Sequence, residues 1–233
     1  MKIFYCIIGS VLASFINVEV IRSWKKEDFI FSRSHCPCCG HVLSFTDMIP
    51  AFSYLLLQGK CRYCNKKISK RYLHVELLGI LIGLLSSSYR EMLTGMILLA
   101  ISLYDWDNMI IKDRYLLLLM LITLFMVRKE YVDEHLTGAL AVSLPLVVMA
   151  FITKGFGYGD VKLMAVGGFL LGWERVLLAF MIGCISASIY GLYLIFVRKA
   201  SVRTKIPFGP FLSLGIFVSL LYGYRLIDLY LNT

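Results

Sequence analysis

Acidic residues are few in this sequence, which contains 15 Asp and Glu among 233 residues. Charged residues of either sign account for only 17% of the chain, whereas apolar residues account for 59% and the mean hydropathy is +0.76. Apolar runs follow one another from residue 1 to residue 230, and residues 23–72 form the one long polar interval. This composition excludes a separate soluble catalytic domain of ordinary size and indicates a membrane protein.

The sequence also lacks the features of a nucleic-acid-binding domain and of a removable signal peptide. The net charge is +9, but no basic domain interleaved with aromatic residues is present, so nucleic-acid binding is not indicated. The basic excess instead suits contact with anionic membrane lipid. The first apolar segment contains Asn17 and Glu19 and lacks a small-residue cleavage site, so we expect it to remain as a helix rather than a removable signal peptide.

Eight apolar segments are candidates for membrane-spanning helices by the hydropathy criterion. A spanning helix needs about 20 largely apolar residues, and fewer when it is short or re-entrant. The sequence therefore predicts an all-α polytopic membrane protein with about eight transmembrane helices. The candidate segments lie at residues 3–22, 73–89, 91–104, 114–127, 136–153, 161–172, 175–197 and 207–229.

Basic residues predict the orientation, because they remain on the cytoplasmic side when helices insert. With the N-terminus outside, 18 of the 24 Lys and Arg fall in cytoplasmic segments, ten of them between Arg22 and Arg71. Eight helices then return the C-terminus to the outside. The same topology makes the polar interval 23–72 a small cytoplasmic insertion.

The cytoplasmic insertion contains two Cys-x-x-Cys pairs, Cys36 with Cys39 and Cys61 with Cys64, separated by 21 residues. Four thiolates at this spacing resemble zinc knuckles, and a bound zinc would stabilise a segment that has little apolar mass. A reducing cytoplasm disfavours disulfides, and a redox pair needs no second copy. Three neighbouring side chains could replace one of the ligands: His35, Cys38 and His41.

Acidic residues lie at the cytoplasmic ends of two predicted helices. The stretch "LYDWDNMIIKD" carries Asp105, Asp107 and Asp113 after the third segment, and "GFGYGD" carries Asp160 after the fifth. The predicted topology places both stretches on one face of the membrane, where a carboxylate persists only if it faces water or a partner. Two neighbouring carboxylates share a proton, so one can act as base on a water while the other acts as acid. This pair can hydrolyse an amide without a metal.

Glycines precede Asp160 at positions 155, 157 and 159. We expect them to permit positive φ and a close approach of the backbone to substrate, in irregular backbone that lines a cavity. Two alternatives remain open. The acidic residues can merely solvate loops, with the glycine motif as a turn, or paired aspartates can carry protons in an ion-coupled transporter. A transporter would have broken helices in matched halves, and the sequence shows no such internal repeat.

Taken together, these motifs resemble the type IV prepilin peptidases, which are GxGD-type intramembrane aspartic proteases. The resemblance covers nearly the whole chain, in "GSVLASFINVEVIR" at 9–22, "CPCCG" at 36–40, "LSFTDMIPAFSYLLLQGKCRYCNKKISKRYLHVE" at 43–76, "LYDWDNMIIKD" at 103–113 and "GFGYGDVKLMAVGGFLLG" at 155–172. It implies cleavage of a short basic leader after a glycine in pilin, pseudopilin or competence pseudopilin precursors, at the cytoplasmic face of the bacterial plasma membrane. It also implies methylation of the new N-terminus with S-adenosylmethionine.

The resemblance assigns the catalytic pair to Asp105 and Asp160, in a motif whose glycines are Gly157 and Gly159. Which aspartate acts as base is a property of the coupled pair and stays open. The zinc ligands of the family fall on the same four cysteines that the spacing indicates, and the extra thiol of Cys38 leaves that set open.

Three more residues are implied for a substrate or cofactor pocket. Gly59 matches a glycine linked to methyl transfer, and Glu76 is either a polar pocket residue or a simple helix-terminal charge. Lys162 matches the lysine of the GDxK motif and could anchor a helix start or a lipid phosphate. The chain then divides into three expected parts: a first transmembrane helix at 1–22, a methyltransferase-associated Cys-rich loop at 23–72 and a membrane peptidase core at 73–233.

Overall fold

The computed structural model describes residues 1–25, 34–127, 129–153, 157–201 and 204–231. Within these ranges the chain is helical apart from turns, short loops and two isolated β-bridges, and no β-strand occurs there. The all-α fold predicted from the hydropathy pattern is therefore confirmed.

Each of the eight predicted segments coincides with a helix in the described part of the chain. A five-residue helix, α2, lies in the Cys-rich interval between the first two of them. The helices are α1 (Lys2–Lys25), α2 (Phe52–Leu56), α3 (Lys70–Leu85), α4 (Tyr89–Asn108), α5 (Asp113–Met126), α6 (Val132–Thr153), α7 (Tyr158–Leu171), α8 (Trp173–Phe196) and α9 (Gly209–Leu231).

In the described part of the chain, four helices are long and apolar enough to cross a membrane: α1, α6, α8 and α9. Much of their apolar surface is not covered by protein, as expected where lipid covers it. The chain is therefore a multi-pass membrane protein. The number of eight spans stays a prediction, because α5 and α7 have 14 residues each and a helix of that length is only about 21 Å long.

The chain forms two compact units, Met1–Met92 and Leu93–Thr233. In the first unit α1 packs along α3, and two glycines of α3 lie directly against the backbone of α1. A Cβ added at Gly79 would overlap the carbonyl oxygen of Gly9, and one added at Gly83 would overlap that of Tyr5. These glycines are spaced as Gly-x-x-x-Gly, the pattern that lets two membrane helices approach closely.

In the second unit α7 packs against α5, α6, α8 and α9 and so lies at its centre. Gly138 of α6 and Gly168 of α7 contact each other's backbone, and neither position has room for a Cβ. Leu163 and Met164, in the middle of α7, are completely buried. The helix that begins with the GxGD motif is therefore held rigidly on several sides.

We expect Gly83→Ala to destabilise the first unit by about 1 to 3 kcal/mol. The new methyl group would overlap backbone atoms of Tyr5, which cannot move away by a change of side-chain rotamer. The measurement is the thermal unfolding midpoint of the purified protein in detergent. Leu81→Ala is the matched control, since Leu81 lies between the two glycines on the exposed side of α3. A wild-type midpoint for Gly83→Ala would contradict the close packing of α1 and α3.

Candidate active site

Asp105 lies in the last turn of α4, because this helix continues to Asn108 instead of ending at the predicted residue 104. Its side chain is buried, with 5% of the residue exposed. Its Oδ2 accepts a hydrogen bond of 2.9 Å from the backbone N–H of Gly209, the first residue of α9. A helix start presents unpaired N–H groups, so it is a suitable partner for a buried carboxylate.

Asp160 lies in the first turn of α7, which begins at Tyr158 rather than at the predicted residue 161. Gly157 is the N-cap residue of this helix, and the Oδ2 of Asp160 lies 3.4 Å from the position that a Cβ would take there. The carboxylate thus folds back over the helix start, as acidic residues in a first turn do.

The structure brings Asp105 and Asp160 together in the second unit, where the charge of one acts on the other. Asp107 and Asp113, in contrast, are both exposed. The Nζ of Lys162 donates a hydrogen bond of 2.7 Å to Oδ1 of Asp113, and this exposed ion pair joins the starts of α5 and α7. Of the four aspartates that the sequence singles out, the buried Asp105 and the half-buried Asp160 are therefore close enough for their charges to interact, and their role stays a prediction.

The glycines of the motif do not supply an unusual backbone, and one of them, Gly159, permits a close approach. Gly157 has φ −75° and ψ 137°, an extended conformation open to any residue, and Gly159 is helical without a positive φ. A Cβ at Gly159 would lie 3.0 Å from the Cβ of Ile111, which precedes α5. The expectation of positive φ is therefore wrong for Gly157 and Gly159, and Gly155 lies outside the described residues.

Gly209 belongs to this site, although no motif in the sequence indicates it. The only local signal is the stretch "PFGPF" at 207–211, in which a glycine precedes a proline at the start of an apolar helix. A proline in a first helical turn marks a helix start. Nothing in the pattern indicates that the preceding N–H points at an aspartate 104 residues away in the chain.

The four knuckle cysteines form one cluster in the first unit. The Sγ atoms of Cys36, Cys39, Cys61 and Cys64 all lie within 4.8 Å of one another, and those of Cys36 and Cys64 are 3.9 Å apart. Sulfurs at about 2.3 Å from a tetrahedral zinc ion lie about 3.8 Å from each other. The cluster can therefore bind a metal such as zinc. The cluster does not include the three alternative ligands, which are His35, Cys38 and His41.

The two knuckles repeat one turn geometry. In the first, the N–H of Cys36 donates to the carbonyl of His41 and the N–H of Gly40 donates to that of Cys36, each at 2.9 Å. Cys61 and Asn65 make the corresponding bonds in the second, also at 2.9 Å. Gly40 and Asn65 both have a positive φ, which these two residue types adopt more readily than others.

The backbone of the first knuckle favours the thiolate form of Cys36. The N–H groups of Cys39 and Cys38 lower the pKa of its thiol from 9.0 to about 6. Zinc binds the thiolate and not the thiol. The donor set and its local hydrogen bonds therefore fit a zinc ion.

Glu76 lines a cavity of about 1020 Å³ in the first unit, and Gly59 contacts the side chain of Tyr54, which also lines it. Glu76 is buried and lines this cavity, and its two oxygens accept hydrogen bonds from the Oγ of Ser14 at 2.8 Å and the N–H of Ala51 at 2.7 Å. Glu76 is therefore not a simple helix-terminal charge. Gly59 has φ +68°, and a Cβ there would lie 2.8 Å from the hydroxyl oxygen of Tyr54, another cavity-lining side chain.

Two known family models match successive parts of the chain, and the boundary between the two matches nearly coincides with the boundary between the two compact units. Residues 7–90 match the bacterial peptidase A24 N-terminal domain, and residues 92–192 match the type IV leader peptidase family. No solved structure matches the chain.

Several known proteins are similar along almost their entire length. A prepilin leader peptidase/N-methyltransferase of Pseudomonas aeruginosa is 31% identical over 97% of this chain and 92% of its own. Proteins of the same name from Bacillus subtilis and Vibrio cholerae are 30% and 31% identical, over 97% of this chain and 96% and 98% of their own.

Proposed function

Because this chain belongs to the type IV leader peptidase family, we propose that Asp105 and Asp160 are the carboxyl groups with which it cleaves prepilin-type precursors. The observation that carries this proposal is their shared location. Two carboxylates from different helices, α4 and α7, are close enough to interact, and the buried one, that of Asp105, accepts a hydrogen bond from a backbone N–H of a third helix, α9. Such a pair supports hydrolysis by a water molecule without a covalent intermediate.

In the proposed reaction the apolar segment of the precursor docks among the helices and its basic leader stays in the cytoplasm. One aspartate removes a proton from the attacking water, and the other gives a proton to the departing amine after the glycine. The proton then returns between the two carboxyl groups, so the pair is ready for the next precursor. The two groups titrate as one unit, and we assign the roles of base and acid to the pair rather than to either residue.

We place the active site at the cytoplasmic face of a bacterial plasma membrane. The excess of basic residues in segments 22–71 and 198–205 supports this orientation, because such residues remain on the cytoplasmic side. Asp105 and Asp160 lie at the ends of their helices that this orientation assigns to the cytoplasm. The alternative of an ion-coupled transporter is not supported, since both family matches are peptidase domains.

We assign a second activity, methylation of the new N-terminus, to the part of the chain that contains the Cys-rich loop 23–72, while residues 73–233 form the peptidase core. In this assignment zinc bound by the four cysteines stabilises the loop, and S-adenosylmethionine is the methyl donor. The large cavity lined by Glu76 and Tyr54 has room for such a donor. Gly59 supports the cavity by leaving space for Tyr54, whereas Lys162 anchors the start of α5 through Asp113.

The proposal predicts that purified protein cleaves a precursor whose basic leader ends in glycine and, with S-adenosylmethionine present, adds one methyl group to the new N-terminus. Mass spectrometry of both products checks the cleavage position and the methyl group. A precursor with tryptophan in place of the glycine is the control and should remain intact. Folded, membrane-inserted protein that leaves the glycine precursor uncut would contradict the proposed function.

A further inference from the structure

The start of α9 has one backbone donor that is not used in the first turn of the helix itself. Pro210 has no N–H, and the N–H groups of Phe211 and Leu212 both donate to the carbonyl of Phe208 at 3.1 Å. The N–H of Gly209 instead donates to Oδ2 of Asp105. Because unpaired donors at a helix start carry a partial positive charge, the sequence of this turn directs a single donor to one carboxylate oxygen.

Gly209 also leaves no room for a side chain beside Asp105. A Cβ at this position would lie 2.7 Å from Oδ2, 3.1 Å from Cγ and 3.2 Å from Cβ of Asp105. The backbone of Gly209 does not have a positive φ, so its conformation does not require glycine. The glycine is therefore explained by its contact with the aspartate and not by the fold of α9.

We propose that Gly209 is a positioning residue for the cleavage reaction, which holds one oxygen of Asp105 through its N–H and keeps the carboxylate in place by having no side chain. This inference rests on the proposed function of the aspartate pair. Among the described residues, the carboxylate of Asp105 has no hydrogen-bond partner other than the N–H of Gly209. Its other oxygen is therefore left for the water or the proton that the reaction transfers. Such fixed orientation matters because a displacement of about 1 Å can lower a catalytic rate about 100-fold.

Gly209→Ala tests the steric part of this inference. The atoms nearest to the methyl group are side-chain atoms of Asp105 and not backbone atoms, so we expect the protein to fold while the Asp105 carboxylate is displaced. The kcat for precursor cleavage should fall about 30- to 100-fold, with KM within about twofold of wild type, since precursor binding does not involve the carboxylate geometry. A merely structural role would instead change the unfolding midpoint, or kcat and KM together.

Gly223→Ala is the matched control on the same helix. A Cβ at Gly223 would lie 3.0 Å from Cδ of Arg175 and 3.0 Å from Oγ of Ser219, which are also side-chain atoms, but far along α9 from Asp105. This variant should keep the wild-type kcat. If wild-type protein cleaves the precursor and Gly209→Ala cleaves it equally fast, the positioning role is wrong. If wild-type protein does not cleave at all, the proposed function is wrong instead.

Hydrogen exchange tests the N–H contact without any activity assay and without a change at Gly209. In the full-length protein, Asp105→Ala removes the acceptor, and the Gly209 amide should exchange at least about tenfold faster than in wild type. Asp105→Asn keeps an oxygen acceptor and should preserve the protection, as should Asp160→Ala. Equal exchange of this amide in wild type and Asp105→Ala would overturn the inference, even if Gly209→Ala fails to fold.

Discussion

Asp105→Asn and Asp160→Asn should each lower the rate of precursor cleavage at least about 10³-fold, while both proteins still insert and fold. Asparagine has nearly the same shape as aspartate but cannot take up and release a proton at a carboxylate. In Asp105→Asn the amide oxygen of the new side chain would still accept the N–H of Gly209. The loss should therefore be catalytic. Gel or mass analysis of precursor cleavage, together with the unfolding midpoint of each variant, separates it from misfolding.

Asp107→Asn and Asp113→Asn are the matched controls for these variants. Asp107 lies two residues from Asp105 on the same helix but is exposed, and Asp113 is an exposed partner of Lys162. Exposed ion pairs contribute about 1 kcal/mol or less. We expect both controls to cleave the precursor within about fivefold of the wild-type rate, which corresponds to that energy. A wild-type rate in Asp105→Asn or Asp160→Asn would refute the catalytic pair.

The Cys61→Ser/Cys64→Ser variant should lose its bound zinc and, with it, the ordered structure of the Cys-rich loop. Structural zinc contributes about 10 to 16 kcal/mol to the folding of small domains. Two serines cannot replace two thiolates, and residues 34–69 contain little other secondary structure to hold the knuckles in place. Methylation should therefore fall much more than cleavage, because the aspartate pair belongs to the other compact unit. Elemental analysis of purified protein measures the zinc.

Cys38→Ser is the control for this prediction, since Cys38 is exposed and lies outside the cluster. It should keep one zinc ion per chain and methylate at the wild-type rate. If wild-type protein contains no zinc and methylates normally, the zinc assignment is wrong. Loss of zinc from Cys38→Ser would show instead that the ligand set differs from the four clustered thiols.

The sequence predicts the positions of the helices well, because long apolar runs in a membrane protein leave few other structures. It also singles out Asp105 and Asp160, since acidic residues are scarce and a carboxylate near the membrane needs a reason to be there. The ends of helices are predicted less well. α4 continues past residue 104 and α7 begins before residue 161, and so both aspartates lie on helices rather than beside them.

Contacts between distant residues are the part that the sequence does not reveal. The hydrogen bond between Gly209 and Asp105 joins residues 104 positions apart. Glu76 is similar, because its partners Ser14 and Ala51 belong to α1 and to the loop before α2. The motif glycines illustrate a related limit. The sequence alone does not show whether a glycine is needed for a positive φ or for a close approach of another residue. At Gly159 there is no positive φ, and the glycine leaves room for Ile111.

The most direct measurement of the central claim is the residual cleavage rate of Asp105→Asn, Asp160→Asn and the double variant, each in excess over the precursor. Residues that act as one unit are not additive, and removing one costs about as much as removing both. We therefore predict the same residual rate, within a fewfold, for all three variants. If the rate of the double variant is reduced from wild type by the product of the two single-variant reductions, the catalytic pair is contradicted. Cleavage at the wild-type rate by either single variant would also contradict it.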